Sequence, residues 1–88
     1  MAAAQLIATG DTATSSSDQT VADGSTLTVA LKGVTGSQAR VLIELKDDGG
    51  TYNVVGELNS LQPATVIAAP GVYRLTRVAG ATCGVYSG

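Results

Sequence analysis

Hydrophobic and polar residues alternate over much of the chain. In STLTVALKG, residues 25–33, every second side chain from Leu27 to Leu31 is a large aliphatic one, and polar or small side chains fill the positions between. Because successive side chains of a strand point to opposite faces, this period of two predicts a half-buried β-strand. QARVLIELK, residues 38–46, repeats the pattern. Its inward residues are predicted to be Val41, Ile43 and Leu45, and its outward residues Arg40, Glu44 and Lys46.

Short strands also account for the second half of the chain. TYNVVGEL, residues 51–58, is predicted to form one, with Val55 breaking the polar face and Gly56 marking a bulge. The residues predicted to share one face are Tyr52, Val54, Gly56 and Leu58. SLQP is predicted to turn the chain before the strand ATVIAA, and VYRLTRV and TCGVY are predicted to pair as a C-terminal hairpin around AGA, residues 79–81.

These elements define the fold class. They amount to six to eight short strands with turn signals between them, and no apolar period of helical spacing persists for a useful length. The sequence therefore predicts an all-β protein, a small antiparallel sandwich or jelly-roll-like barrel. An incompletely closed sandwich of this kind leaves strand edges available for docking.

The beginning of the chain has a different composition. Residues 8–26 are rich in Thr, Ser, Asp and small side chains that provide little to anchor a core. We therefore expect residues 1–24 to form an extended arm, which contacts a neighbour rather than its own domain of residues 25–88. Leu6 and Ile7 form an apolar tip on this arm and are predicted contacts to a partner.

Size and composition restrict how such a domain is stabilised. Its 88 residues allow a small core, and Cys83 is the only cysteine, so no internal disulfide forms. Self-association or docking on a larger body is the expected support. The net charge is −2 with scattered basic residues, which argues against nucleic acid as a partner. The sequence also predicts no signal peptide and no membrane helix.

Asp47-Asp48-Gly49-Gly50 is the densest group of charge that could carry chemistry. A calcium loop supplies several alternating oxygen ligands, whereas this stretch has two adjacent acids followed by two glycines. Asp-Gly and Gly-Gly suit a type I′ turn or a G1-bulge hairpin, because central residues there take positive φ. We therefore predict a hairpin turn, with no metal site.

The remaining candidate residues also favour structural roles. Cys83 lacks a histidine to activate it, since the chain has none, and is predicted to be a core residue. Arg74 and Arg77 are three residues apart on one strand, so they are predicted to lie on opposite faces, where one pairs with Glu44 or Glu57. Tyr86 is a predicted contact to a protein partner. The sequence predicts no catalytic residue, no cofactor and no enzyme activity.

Three segments carry a resemblance to a known group of proteins. The Ser/Thr-rich beginning, the middle LTVALKGVTGSQARVLIELKDDGGTYNVVGEL and the end PGVYRLTRVAG resemble short virion proteins of tailed bacteriophages, of the capsid decoration or cement type. The resemblance implies a β-domain on the outer surface of the head, made in the host cytoplasm, which binds the major capsid protein and stabilises the shell. It also implies a homo-oligomer, a trimer in preference to a dimer.

Two alternatives stay open at this point. A tail, neck or fibre component of the virion would use the same fold at another position. A carbohydrate-binding β-module for host attachment is the other, although the chain has no Trp or Phe and only three Tyr to stack on sugar rings.

Overall fold

The computed structural model describes residues 4–35, 39–80 and 82–88. In these ranges the chain forms nine β-strands and no helix: β1 Ala4–Gly10, β2 Thr14–Ser15, β3 Gln19–Val21, β4 Leu27–Lys32, β5 Arg40–Lys46, β6 Tyr52–Asn59, β7 Ala64–Ile67, β8 Gly71–Arg77 and β9 Cys83–Ser87. One sheet has the order β1-β9-β4-β7, and the other has the order β2-β8-β5-β6 with β3 also paired to β8. All pairs are antiparallel.

The strand order is that of a jelly roll. Strands pair as β1 with β9, β2 and β3 with β8, β4 with β7, and β5 with β6, so the chain is one long two-stranded ribbon folded across two sheets. The predicted all-β class is confirmed. The strand count exceeds the predicted range because β2 and β3 are two short pieces along the same edge of β8.

Ser16 explains the interruption between β2 and β3. Its backbone N–H donates to the carbonyl of Leu75 at 2.7 Å, and its hydroxyl oxygen accepts from the Leu75 N–H at 3.0 Å. The serine side chain thus replaces a backbone acceptor where the strand breaks. The two pieces remain attached to β8 as one edge.

Alternating residues from both sheets fill the core. Val29 and Leu31 of β4 are buried, as are Val41 and Ile43 of β5, which confirms the predicted inward faces of both strands. The other buried apolar side chains are Ile7, Val21, Ala39, Leu58, Ile67, Tyr73, Leu75, Cys83 and Val85.

The N-terminal segment belongs to this core, so the expectation that it lies off its own domain is wrong for the described residues. β1 pairs with β9 from Ala4 to Gly10, and Ile7 is only 2% exposed. β3 adds Val21, which is 3% exposed. A few apolar side chains therefore anchor a segment whose composition is mainly polar. Ala2 of the predicted arm lies outside the described residues.

The predicted C-terminal hairpin is also wrong. β8 and β9 lie in different sheets, and β9 pairs with β1 and β4 instead. The connection after Arg77 crosses between the sheets, with the N–H of Val78 donating to Arg40 and that of Gly80 to Asp11. Ala81 of the predicted turn lies outside the described residues.

Candidate functional site

A groove of about 320 Å³ runs between β6 and β7, the edge strands on one side of the sandwich. Buried side chains of Ile43 and Tyr73 contribute to its lining. The hydroxyl of Tyr73 donates to the carbonyl of Ala69 at 2.9 Å, so its polar end is satisfied within the protein. The remaining lining residues are Val55, Gly56, Glu57, Gln62, Thr65, Val66, Ile67, Ala68 and Ala69. The sandwich is therefore open on this side, and the opening is mainly apolar.

Exposed hydrophobic side chains are concentrated on the two edge strands that flank this groove and on the turn between them. Five large apolar side chains are exposed in the described residues, and four belong to β6, to β7 or to the connection between them. These four are Val54 at 57%, Val55 at 55%, Leu61 at 96% and Val66 at 56% exposure. We call them the apolar edge patch. Two of the four, Val55 and Val66, line the groove. Single exposed hydrophobics are common on proteins, but several on neighbouring open strand edges are typical of a protein contact surface.

A β-bulge in β6 creates part of this patch. Ile43 pairs with Gly56 and the next residue, Glu44, pairs with Val54, so Val55 is an extra residue without a partner across the ladder. A bulge was predicted at Gly56; the structure has one, with the neighbouring Val55 as its extra residue.

The same bulge corrects the predicted face of β6. Inserting one residue reverses the alternation, so Tyr52 and Val54 follow their partners Lys46 and Glu44 to the outer face of the sheet. Leu58, on the other side of the bulge, is completely buried.

The connection from β6 to β7 holds Leu61 in solvent. Asn59 and Gln62 exchange two backbone hydrogen bonds of 3.1 Å, and the side-chain carbonyl of Asn59 accepts from the N–H groups of Leu61 and Gln62 at 2.9 Å. This bonding confirms the predicted turn. Leu61 is therefore exposed on a turn that is held in place by hydrogen bonds.

A polar network covers the outer face of the sheet that contains β5 and β8. Arg74 donates from Nε to a carboxylate oxygen of Glu44 at 3.0 Å, and the hydroxyl of Thr76 donates to the same oxygen. Burial alone raises the pKa of Glu44, but the hydrogen bonds from Thr76 and Arg74 and the charge of Arg74 outweigh it and lower that pKa. The predicted pairing of Glu44 with an arginine is confirmed.

Tyr52 extends this network to Asp18, the residue before β3. The guanidinium carbon of Arg74 lies 3.7 Å from the centroid of the Tyr52 ring, and the Tyr52 hydroxyl donates to Asp18. This hydrogen bond lowers the pKa of Asp18 and raises the pKa of Tyr52. Lys46 adds a 3.4 Å ion pair with Asp18. The ring of Tyr52 is thus engaged within the protein.

Arg77 closes the side of the sandwich opposite the groove. It is 3% exposed and points inward, whereas Arg74 points outward, as predicted. Its guanidinium donates to the carbonyls of Ala8, Thr12 and Cys83, each at 2.7 Å. These bonds tie β1 and the following loop to β8 and β9, so the two sides of the sandwich differ in chemistry.

Asp47-Asp48-Gly49-Gly50 forms the turn between β5 and β6, which confirms the hairpin prediction. The N–H of Gly50 donates to the Asp47 carbonyl at 3.1 Å, and Gly50 takes a φ of +86°, as a G1 bulge requires. One carboxylate oxygen of Asp47 accepts from the N–H groups of Gly49 and Thr51 at 2.9 Å each. The hydrogen bond from Thr51, followed by one from Asn53, lowers the pKa of Asp47. This carboxylate organises the turn.

The described part of the chain contains no group of three or more His, Cys, Asp or Glu residues placed to hold a metal ion. It also contains no helix long and apolar enough to cross a membrane. Cys83 is fully buried, which confirms its predicted place in the core, and this burial raises the pKa of its thiol. The prediction that the protein is not an enzyme stays a prediction.

The three residues predicted to contact a partner have different environments. Ile7 is buried in the protein's own core, and Leu6 packs partly buried against it. Tyr86 is half-buried on β9, where it pairs with Gln5 and Ala30 on the outer face of its sheet. The structure does not bring Tyr86 together with the two N-terminal residues as one surface. A partner contact at Tyr86 stays a prediction.

The apolar edge patch was not among the predicted contact residues. Its residues occur in segments whose pattern predicts only a strand or a turn. One feature of the sequence could have indicated this surface. No charged residue occurs from 58 to 73, a run that includes β7 and its flanking turns. Strand edges normally carry charge or other protection, so such a run at an edge is informative. Identifying it required knowing which strand is the edge.

The fold and the groove define the class of this protein as a jelly-roll sandwich with one open side. Comparison with solved structures finds a similar fold in the crystal structure of SPBc2 prophage-derived protein YomS, with a TM-score of 0.58 and 13% sequence identity. The alignment covers 98% of this chain and 88% of that chain. At this identity the likeness establishes a shared fold. No known protein family and no curated protein sequence matches the chain.

Proposed function

We propose that this protein is a structural component of a bacteriophage virion, a capsid decoration or cement protein that binds the outer surface of the head and stabilises the shell. The observation that carries the proposal is the apolar edge patch beside an open groove, a surface suited to protein contact. The similar fold of a prophage-derived protein supports a phage origin. Jelly rolls also recur in viral capsid proteins.

The mechanism follows from mass action. A protein that binds the assembled shell and not its dissociated subunits lowers the free energy of the assembled state. Each copy that contacts two capsid subunits also makes the release of one subunit depend on breaking both contacts. Many small domains of this kind, each with modest affinity, would together resist the pressure of packaged DNA.

This role requires no reaction at the protein itself. The carboxylates of Glu44, Asp47 and Asp18 are each occupied by hydrogen bonds that maintain the fold. The carbohydrate-binding alternative has less support, since Arg74 covers the ring of Tyr52 and the ring of Tyr73 is buried. The proposed partner is the major capsid protein, and the proposed location is the capsid surface.

Binding to capsids that lack the protein tests this proposal. Heads of the phage that encodes it are produced without its gene, and purified protein is added and co-sedimented. Val55→Glu places a charge in the apolar edge patch, and Thr20→Glu places the same charge on an exposed strand residue at the opposite edge of that sheet. We expect wild type and Thr20→Glu to bind and to raise the temperature at which heads release DNA, and Val55→Glu to lose binding at least tenfold.

Two outcomes would overturn the proposal. One is wild-type protein that stays in the supernatant at saturating concentration. The other is its exclusive recovery in purified tails, which would favour the tail, neck or fibre alternative.

A further inference from the structure

The sandwich has four edges, and three of them are protected against pairing with another strand. β1 has register shifts on both sides of Ile7, and β2 and β3 are short and interrupted at Ser16. β6 carries the bulge at Val55 and an ion pair of 3.0 Å between Glu57 and Arg40. Bulges, short strands and charges are the usual ways in which proteins block edge-to-edge pairing.

β7 is also short, with four residues, but it has neither a bulge nor a charged side chain. It pairs with β4 over four consecutive residues without a register shift, from Ala64 opposite Ala30 to Ile67 opposite Leu27. No charged residue occurs from 58 to 73, so two copies of this edge can approach without electrostatic repulsion. Val66 adds an exposed apolar side chain to the strand. An uncharged edge of this kind suits a second identical edge better than it suits a charged partner.

The ladder register shows which backbone groups of β7 face outward. The carbonyl of Pro63 accepts from Leu31, so the backbone groups of Pro63, Thr65 and Ile67 point toward β4. By the alternation of an antiparallel ladder, those of Ala64 and Val66 point away from the sheet. These two residues flank Thr65 symmetrically.

We propose that β7 pairs antiparallel with β7 of a second copy, about a two-fold axis at Thr65, joining two four-stranded sheets into one. Ala64 of each copy then exchanges both backbone hydrogen bonds with Val66 of the other, and Thr65 faces its own equivalent.

This dimer is independent of the capsid proposal, because it concerns the purified protein alone. It identifies the occupant of the β7 edge and leaves Val54 and Val55 on β6 for another partner. If the purified protein is not a dimer but still binds capsids, only the β7 pairing is excluded. A dimer without capsid binding would exclude only the decoration role.

Disulfide cross-linking tests the two-fold axis directly. In the proposed pair, the Cα atoms of the two Thr65 residues are about 4.5 Å apart, within the range of a disulfide. Thr65→Cys should therefore oxidise to a covalent dimer in the full-length protein, whereas Thr20→Cys on β3 should not do so at the same rate. The native Cys83 is fully buried, so the introduced thiol is the accessible one.

Sedimentation at micromolar concentration provides a second test of the dimer. Wild type and Thr20→Lys should sediment as dimers, and Val66→Lys should shift to monomer with its β-sheet circular dichroism spectrum unchanged. Combining Val66→Lys with Thr65→Cys should abolish rapid cross-linking. A wild-type monomer or trimer would overturn the proposal, as would equal cross-linking rates for Thr65→Cys and Thr20→Cys.

Discussion

Arg77 places a positive charge in the interior of the sandwich, and in the described residues no carboxylate lies within ion-pair distance of it. Its donors are used by three backbone carbonyls and by the hydroxyls of Thr12 and Thr14. A buried charge is tolerated only when its hydrogen-bonding capacity is satisfied. Those acceptors come from β1, the loop after it, β2 and β9, so one side chain holds elements from both sheets together.

Replacing Arg77 should therefore destabilise the fold. Arg77→Met keeps most of the aliphatic stem but leaves the carbonyls of Ala8 and Cys83 without this donor, and we expect a loss of about 3 kcal/mol in the free energy of unfolding. Arg40→Met is the matched control, because Arg40 is exposed and its ion pair with Glu57 should contribute less than about 1 kcal/mol. Urea denaturation measures both. A similar small loss for the two variants would contradict the role assigned to Arg77.

Glu44 should make stability depend on pH. Its pKa in the folded protein is below its ordinary value of about 4.5, so the unfolded chain binds the proton more tightly. The stability it contributes is present above about pH 4.5 and is lost as the pH falls through the folded pKa. Glu44→Gln should reduce the difference in unfolding free energy between about pH 6 and about pH 3.5.

Thr76→Val provides a second test of the same carboxylate. It removes the hydroxyl that donates to Glu44 and retains a β-branched side chain, so it should raise the pKa of Glu44 and weaken the pH dependence in the same direction. If both variants keep the wild-type pH dependence, another group is responsible for it.

At the scale of the strands, the local sequence pattern was sufficient to predict which residues face inward wherever a strand has one buried face and no bulge. The alternation in β4 and β5 predicted their inward residues, and Asp-Gly chemistry predicted the turn that joins β5 to β6. In β6 the alternation was interrupted by Val55, and the face of every residue before the bulge was reversed. A bulge is visible in sequence only as a break in the pattern, which does not specify which residue is extra.

The local sequence pattern could not predict which distant strands pair with each other. β8 and β9 are neighbours in sequence and resemble a hairpin, yet each finds its partners among strands far away in the chain. β1 was missed for the same reason, because its anchoring depends on Ile7 meeting a core built from later strands. The open groove likewise required knowledge of which strands are edges.

Gly84 tests whether β1 is an integral strand. A Cβ atom at this position would lie 2.7 Å from the carbonyl oxygen of Ile7 and 2.9 Å from the backbone nitrogen of Thr9, so any side chain would force β1 away from β9. We expect Gly84→Ala to cost about 2 kcal/mol of stability and to expose residues 4–10 to proteolysis.

Gly88→Ala is the control, since a Cβ there meets nothing within 4 Å. Both variants are compared by urea denaturation and by limited digestion followed by mass spectrometry. Wild-type stability and an undigested N-terminal segment in Gly84→Ala would contradict the close packing of β1 on β9.

At the scale of the whole molecule, the two sides of the sandwich where sheet edges meet differ in structure. One side is closed by the hydrogen bonds of Arg77, and the other presents a groove with exposed apolar residues. A domain of 88 residues buries a smaller share of its surface than a larger one, so additional burial on association adds to a small margin of stability. This asymmetry is one reason for the proposal that the open side contacts other proteins.

Cryo-microscopy of virions tests the proposed capsid role most directly. Under that proposal, particles of the phage that encodes the protein are compared with particles made without its gene. The account predicts a difference density on the outer surface of the head, at regular sites between capsid subunits, into which the sandwich of 36 × 30 × 20 Å fits. Identical heads in the two reconstructions, or a difference confined to the tail, would contradict it.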